Sequence, residues 1–333
     1  MGAEGREVAR PGVSVVMPVL NEERHLEAAV RRILSSAYDG PLEVVLALGP
    51  SHDDTDVVAG RLSSEDPRVR TVANPTGRTA AGLNLAVQAA SFDIIVRVDG
   101  HALIPDDYVA VAVATLEATG ADNVGGIMGA EGVSEFERAV AAAMTSWVGV
   151  GGAAFHIGGE PGPALTVYLG CVGRSALERV GGFDESMARA QDWELNHRIR
   201  QTGGLVWFTP DLHVTYRPRP DLASLARQYF QYGRWRREVA TRHPETVSAR
   251  YLAPPVTLIA VIGGTIVGTL GLATRSPALT VMGFAMPVGY AAANLVASAR
   301  AGRSLGPGAA LRLPAVFATM HGAWGAGFLR GAR

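Results

Sequence analysis

From Val13 to Val19 nearly every position is apolar and most are β-branched, which predicts a strand buried on both faces. An amphipathic helix is expected from Asn21 and Glu22 to about Leu34. Leu42 to Leu48 repeats the strand pattern, Asp53 to Leu62 reads as a helix, and Val69 to Ala73 as a short strand. Thr79 to Ala90 predicts a third helix, and Ile94 to Val98 a further buried strand that runs into Asp99. Strands alternating with helices argue for a parallel sheet, whose ligand chemistry lies at the strand C-termini. After a mixed stretch, a helix is expected from about Trp193 to Gln201, and an aromatic-rich one from Leu222 to Val239.

Beyond that helix the pattern changes. Leu252 to Thr274 carries no charge, and neither does Ser276 to Ala299. Each run exceeds the ~20 residues a helix needs to cross the hydrocarbon core. They read as a helical hairpin turning at Arg275, the alternative being two buried core helices of a soluble protein. A third, shorter run, Leu313 to Leu329, lies in the interface, re-enters or spans. Arg234, Arg236, Arg237, Arg242 and Arg250 precede the first run, and Arg300, Arg303 and Arg312 follow the second. The positive-inside rule places both flanks in the cytoplasm. The expected organisation is a tail over 1–12, an α/β domain over 13–220, a juxtamembrane amphipathic helix over 221–250 and a multi-pass cell-membrane anchor over 251–333.

Composition sharpens this picture in three ways. Charged residues make up only 18% of the chain, below the ~25% usual for soluble domains. Thirty basic and 31 acidic residues leave a net charge of -1, without the basic excess of a nucleic-acid binder, so no nucleic-acid partner is expected. The single cysteine, Cys171, excludes a disulfide framework and sits in an apolar stretch, as a buried thiol would. The opening MGAEGREVAR has no apolar run, so no secretory signal is expected and the first domain is expected in the cytoplasm.

Several polar groups stand where a sheet would present them to a ligand. Asp99, Gly100 and His101 follow the strand FDIIVRV. There Asp99 and His101 either face a metal-bound diphosphate, or Asp99 caps the next turn. Asp192, in ARAQDWELNHRIR, is either a general base or a plain helix N-cap, with Glu194 a fallback base or, by preference, a solvated first-turn carboxylate. Gln231, Arg234 and Trp235 share one helix face. Together they can bond hydroxyls, clamp a diphosphate and stack on a sugar, or else sit at the headgroup level of a membrane. Ser51, His52, Asp53, Asp54 and Thr55 follow the second strand as a nucleotide contact or as a turn and cap. Asn74, Gly77 and Arg78 precede the third helix, where Arg78 reaches a phosphate or lies on the surface. His213, His243 and His321 lack partners at metal spacing and are read as structural.

In this order the motifs VSVVMPVLNEERHLE, NPTGRTAAGLNLAV, IIVRVDGHA, GGFDESMARAQDWELNHRIRQTGG and QYFQYGRWRRE resemble those of the family 2 glycosyltransferases. The resemblance covers nearly the whole chain and is nearest to the ExoA-like branch of succinoglycan-type exopolysaccharide enzymes. It implies a GT-A fold, a Rossmann-like α/β domain with a mixed sheet, here followed by C-terminal transmembrane helices. It also implies inverting transfer from a UDP- or GDP-linked sugar, with Mg or Mn as the cation. By position, Asp99 matches the metal-binding acid of the D-x-D signature and Asp192 the acid that acts as base. Gln231, Arg234 and Trp235 match the Q-x-x-R-W motif near acceptor and diphosphate. Pro18, Asn21 and Glu22 match the loop around the nucleotide.

Two positions depart from the family pattern. His101 stands where the second acid of D-x-D is usual, and Gly49 where an acid often meets the nucleotide base; Asp53 and Asp54 remain nearby. Processive synthases share Q-x-x-R-W but need many spans to enclose a polymer. Two or three segments therefore point to transfer of one sugar onto a membrane-held, lipid-linked saccharide or glycolipid. A non-catalytic sugar-nucleotide-binding or scaffold subunit is the competing reading, motivated by Gly49. A nucleotidyltransferase is disfavoured because no glycine-rich basic phosphate loop follows the first strand.

Overall fold

The computed structural model describes residues 10–331. The tail expected over 1–12 and the MGAEGREVAR segment therefore lie outside the described residues up to residue 9. The chain divides into two compact units, Met1–Gly129 with Gly158–Thr215, and Ala130–Ile157 with Tyr216–Arg333.

In chain order the first stretch forms β1 (Val13–Val19), α1 (Leu26–Leu34), β2 (Leu42–Leu48), α2 (Thr55–Glu65), β3 (Val69–Ala73), α3 (Thr79–Ala89) and β4 (Ile94–Arg97). There follow α4 (Tyr108–Thr119), β5 (Asn123–Ala130), α5 (Glu135–Met144), α6 (Trp147–Val150), α7 (Ala154–Ile157), β6 (Gly162–Pro163) and β7 (Tyr168–Gly173). Next come α8 (Arg174–Val180), α9 (Gln191–Gln201), β8 (Val206–Tyr216) and α10 (Leu222–Arg242). The last helices are α11 (Ala249–Ala273), α12 (Pro277–Ala301), α13 (Pro307–Ala310) and α14 (Leu313–Arg330).

The first unit is built on a mixed sheet of order β3-β2-β1-β4-β7-β5-β8-β6. β1 pairs in parallel with both β2 and β4, while β7 runs antiparallel to β4. Parallel strands are covered on both faces, which is why Val13, Val15, Val16, Val44, Val45 and Val96 are all fully buried. Pro18 lies in the central strand β1 without breaking the sheet. The β1–β4 ladder stops at Val16 and Arg97, so the missing N–H of Pro18 falls beyond it. The outward order from β1 reverses there, β2 on one side and β4 on the other, making a switch point whose crevice opens at the strand C-termini.

Two element starts differ from the sequence reading. The first helix begins at Leu26 rather than near Asn21, because Asn21 adopts a left-handed conformation (φ 56°) and starts a loop. The helix expected near Trp193 begins at Gln191, so Asp192 sits inside its first turn. Ala190, itself left-handed (φ 62°), occupies the N-cap, and the plain-cap reading of Asp192 is set aside.

In the second unit α10 packs along α14, and α11 packs against α12 and α14. α11 and α12 form an antiparallel pair joined by small residues. A Cβ added at Gly283 would lie 2.1 Å from the Gly268 nitrogen, and one at Gly264 2.5 Å from the Gly283 oxygen. Such close backbone approach is the packing that small residues permit between apolar helices. Both helices are long and apolar enough to cross a membrane, with mean hydropathy of 2.1 and 1.5. They are not core helices, for Ile259 (56%), Ile262 (52%), Val281 (71%) and Met282 (73%) are exposed.

Candidate functional site

The end of β4 carries the chemistry of the first unit. Arg97, its last residue, has only 8% of its side chain accessible. A buried guanidinium must be paired. Its Nε and Nη2 donate to Asp99 Oδ1 at 3.0 and 2.8 Å, and its Nη1 donates to Asp192 Oδ1. Two carboxylates distant in the chain thus meet on one cation. Asp99 and Asp192 keep 22% and 31% of their side chains accessible, so both still open to the crevice.

Burial raises the Asp192 carboxyl above the ordinary aspartate range, the Arg97 cation opposes that rise, and the Asp99 charge adds to it. Arg97 itself is held fully protonated by the two carboxylates despite its burial. Behind the bridge lies a small cavity lined by Ile95, Asn123, Phe183 and Leu195. The loop entering α9 is pinned from α3. Asn84 accepts from Phe183 N–H at 2.9 Å and donates to its carbonyl at 2.9 Å, so NPTGRTAAGLNLAV and GGFDES brace one another. Glu194 is buried and paired with Arg198, Nε to Oε1 at 2.6 Å and Nη2 to Oε2 at 2.6 Å. The expected solvated carboxylate is thus a structural ion pair.

Beyond Asp99 the chain turns at Gly100 to His101. A Cβ at Gly100 would lie 3.0 Å from Glu22 Cγ, so the glycine lets Glu22 lie across the turn. Glu22 Oε1 is 2.7 Å from His101 Nδ1. Since a carboxylate accepts, Nδ1–H donates. The Asp99 carboxylate is a hard oxygen donor of the kind Mg and Mn take, whereas the His101 imidazole, oriented by a carboxylate as metal-ligating histidines are, is a nitrogen donor that favours Mn over Mg. Asp99 and His101 would be the ligands of such an ion.

The loops after β1, β2 and β3 lace together at the same edge. Asn21 N–H donates to Ser51 Oγ at 3.0 Å, and Asn21 Oδ1 accepts from His52 N–H at 2.8 Å. Glu22 N–H donates to Thr55 Oγ1 at 2.7 Å. Asp53 accepts from Thr55 and from Glu23 N–H, and these hydrogen bonds, Thr55 first, hold its carboxyl below the usual range. Asp53 is therefore a brace of the loop, while Asp54 is exposed at the start of α2. Arg78 is exposed at the N-cap of α3, its carbonyl accepting from buried Asn74 at 3.1 Å. Gly49 explains its own identity. A Cβ there would meet Leu20 at 3.0 Å, Gly77 Cα at 3.1 Å and the Val19 carbonyl at 3.2 Å, so the three loops close over the position an acid would need.

The remaining candidates have structural settings. Cys171 is buried in β7, and burial pushes its thiol up to about 12, which makes it inert. Gln231, Arg234 and Trp235 lie on α10 of the second unit. Arg234 Nε donates to the Gly331 carbonyl at 2.8 Å, at the C-terminal end of α14, where a cation is favourable. His243 Nδ1 lies 3.8 Å from Glu245 Oε1, so contrary to the sequence expectation it has a partner within metal-ligating reach, and His213 packs where a Gly129 side chain would stand. The residues that sequence reasoning passed over are Arg97 and Asn84. The signal for Arg97 was present, as a lone charge inside an apolar strand demands a partner.

Residues 14–177 match the Glycosyl transferase family 2 model. The chain is 36% identical over 242 residues to the succinoglycan biosynthesis protein ExoA of Rhizobium meliloti (strain 1021), covering 72% of this chain and 73% of that protein. The mannosyltransferase PcManGT from Pyrobaculum calidifontis, solved in complex with GDP-Man and Mn2+, superposes with a TM-score of 0.59 at 22% identity, over 97% of this chain and 87% of that one. TarS 1-349 of S. aureus, solved in complex with UDP, gives a TM-score of 0.50 at 14% identity, over 81% and 86%. At these identities the structures establish the shared GT-A fold.

Proposed function

The chain belongs to the family 2 glycosyltransferases, and from that premise we propose that it moves one sugar, with inversion, from a nucleotide diphosphate sugar to a lipid-linked saccharide or glycolipid during exopolysaccharide or cell-envelope glycan synthesis. The observation that carries this reading is the single guanidinium of Arg97 joining Asp99 and Asp192. In the reaction the acceptor hydroxyl oxygen bonds to the anomeric carbon as the bond from that carbon to the diphosphate breaks. The hydroxyl proton passes to Asp192, and the nucleoside diphosphate leaves with the electron pair.

Asp192 must be ionised to accept that proton, and Arg97 favours its ionised form. Asp99 and His101 would hold Mg or Mn, which when bound offsets the charge of the departing diphosphate. Glu22 orients His101, and the laced Asn21–Thr55 loops form the wall offered to the nucleotide. The names of the neighbours leave both uridine and guanosine open, since one was solved with UDP and another with GDP-Man.

The two apolar helices α11 and α12 support a membrane anchor. Arg250 before them and Arg300 and Arg303 after them support a cytoplasmic position for the flanks, and with them for the catalytic domain. Gln231, Arg234 and Trp235 on α10 are assigned to acceptor and diphosphate. A pair of spans does not enclose a polymer channel, which favours single-sugar transfer.

Asp192→Asn tests the proposal. A positioned base contributes about 10²–10⁴-fold, so kcat should fall by that order while donor affinity, read by isothermal calorimetry with Mn, stays within a few-fold. Near-normal kcat in this variant would remove Asp192 from the role of base.

A further inference from the structure

α6, the single turn Trp147–Val150, lies in the second unit with α11, α12 and α14. Trp147 is 72% exposed and Val148 44% exposed. That exposure is not the looseness of a surface loop, because the backbone around it is fastened at several points. Ser146 Oγ accepts from Gly149 N–H at 3.1 Å. A Cβ at Gly149 would lie 2.0 Å from the Ala143 carbonyl and 3.1 Å from Met320 Cε, so the turn is pressed onto α5 and α14. His321 on α14 lies with Nε2 2.9 Å from the Val148 carbonyl and Nδ1 3.1 Å from the Tyr290 hydroxyl on α12. A carbonyl only accepts, so Nε2–H donates to Val148 and Nδ1 accepts from Tyr290. The turn is thereby hydrogen-bonded, through one histidine, to a helix apolar enough to span.

Its other side meets the start of α11. A Cβ at Gly151 would lie 3.7 Å from Arg250 Cδ, and Arg250 is the last charge before the uncharged run. Arg250 is exposed, stacks over Tyr251 at 4.6 Å and pairs with no carboxylate among the described residues. The turn that carries the exposed Trp147 is therefore linked through His321 to Tyr290 of α12 and touches the arginine at the start of α11.

We infer that the Trp147–Val150 turn is an interfacial foot that seats Trp147 at the boundary between lipid headgroups and acyl chains, with Arg250 beside it at the level of the phosphates. The inference rests on the proposed membrane anchor and extends it to a segment that does not span. Tryptophan and tyrosine favour this depth because one end of each ring is apolar and the other hydrogen-bonds. Arginine beside an anionic headgroup adds an electrostatic attraction. The tie of the turn to α12 through His321 and its contact with Arg250 at the start of α11 make the bilayer, which those two helices are proposed to cross, the occupant of this patch.

The test uses the full chain in phosphatidylcholine–phosphatidylglycerol vesicles. Some vesicles carry plain lipid, some lipid brominated near the glycerol end of the acyl chains, and some lipid brominated near the methyl end. The emission of Trp147 is obtained as wild type minus Trp147→Phe, with Trp147→Leu as a second reference. The foot predicts that bromines near the glycerol reduce this difference emission by about half or more, as expected of an aromatic seated at shallow depth, and bromines near the methyl end by less. Equal difference emission in plain and brominated vesicles, from protein that floats with the vesicles, overturns the foot and leaves the anchor standing. A blue-shifted but unquenched signal overturns it in favour of a protein partner covering the turn. Protein that fails to float with the vesicles overturns the anchor itself, and the foot with it.

Discussion

Arg97 is where the site departs most from what its residues suggest singly. Asp99 and Asp192 are visible in the sequence as acids at a strand end and a helix start, and the family resemblance gives each a role. What joins them is an arginine two positions before Asp99, inside a strand read only for its apolar pattern. Its meaning depends on a partner 95 residues away, which periodicity along the chain does not reveal. The same holds for Asn84, whose partner Phe183 lies 99 residues on. Asp53 went the other way, since a carboxylate next to a ligand crevice is used by its own loop.

The Arg97 bridge carries a pH prediction. Burial raises Asp192 and Arg97 opposes it. A base works only when ionised, so activity is lost as pH falls through its pKa. The acid limb of kcat/KM should lie above the pH at which an ordinary aspartate, of pKa about 3.9, would place it. Arg97→Met removes the opposing cation, so the limb should move to still higher pH, and Arg97→Lys should move it less. An acid limb unchanged in Arg97→Met would show that Asp192 is not the titrating base.

At the scale of elements, the parallel strands were legible because strands covered on both faces leave an unbroken apolar run. β5 to β8 were not, since antiparallel strands half interrupted by glycines and helices give no such run. The helix pair α10–α14 adds a reason for the glycine inside Gln231-Tyr232-Gly233-Arg234-Trp235. A Cβ at Gly233 would lie 2.0 Å from the Trp324 carbonyl, and one at Gly327 2.0 Å from the Phe230 carbonyl. Two helices touch backbone to backbone at that point. Alanine is the better helix former by about 1 kcal/mol, so on propensity alone Gly233→Ala would stabilise. The clash is with backbone and cannot be relieved by a rotamer, so the substitution should instead destabilise, by about 1–3 kcal/mol. Thermal unfolding of the detergent-solubilised protein checks the sign, and a raised Tm would refute the close approach of α10 to α14.

At the scale of the whole chain, two units divide the work differently from a simple cut along the sequence. Residues 130–157 lie with the C-terminal helices rather than with the sheet, and nothing in their composition announces it. The uncharged runs were legible because no acid follows Glu245, and their exposed apolar faces need a non-aqueous neighbour. A glycosyltransferase sheet and two helices long and apolar enough to cross a membrane, in one chain, fit the proposed acceptor that stays in the membrane. The central claim is sugar transfer to such an acceptor, and it is tested most directly by incubating membranes containing the protein with a panel of labelled nucleotide sugars in Mg or Mn. Transfer of label from one donor into a lipid-extractable product is the expected result. Label that stays water-soluble with every donor, neither transferred nor hydrolysed, would contradict it.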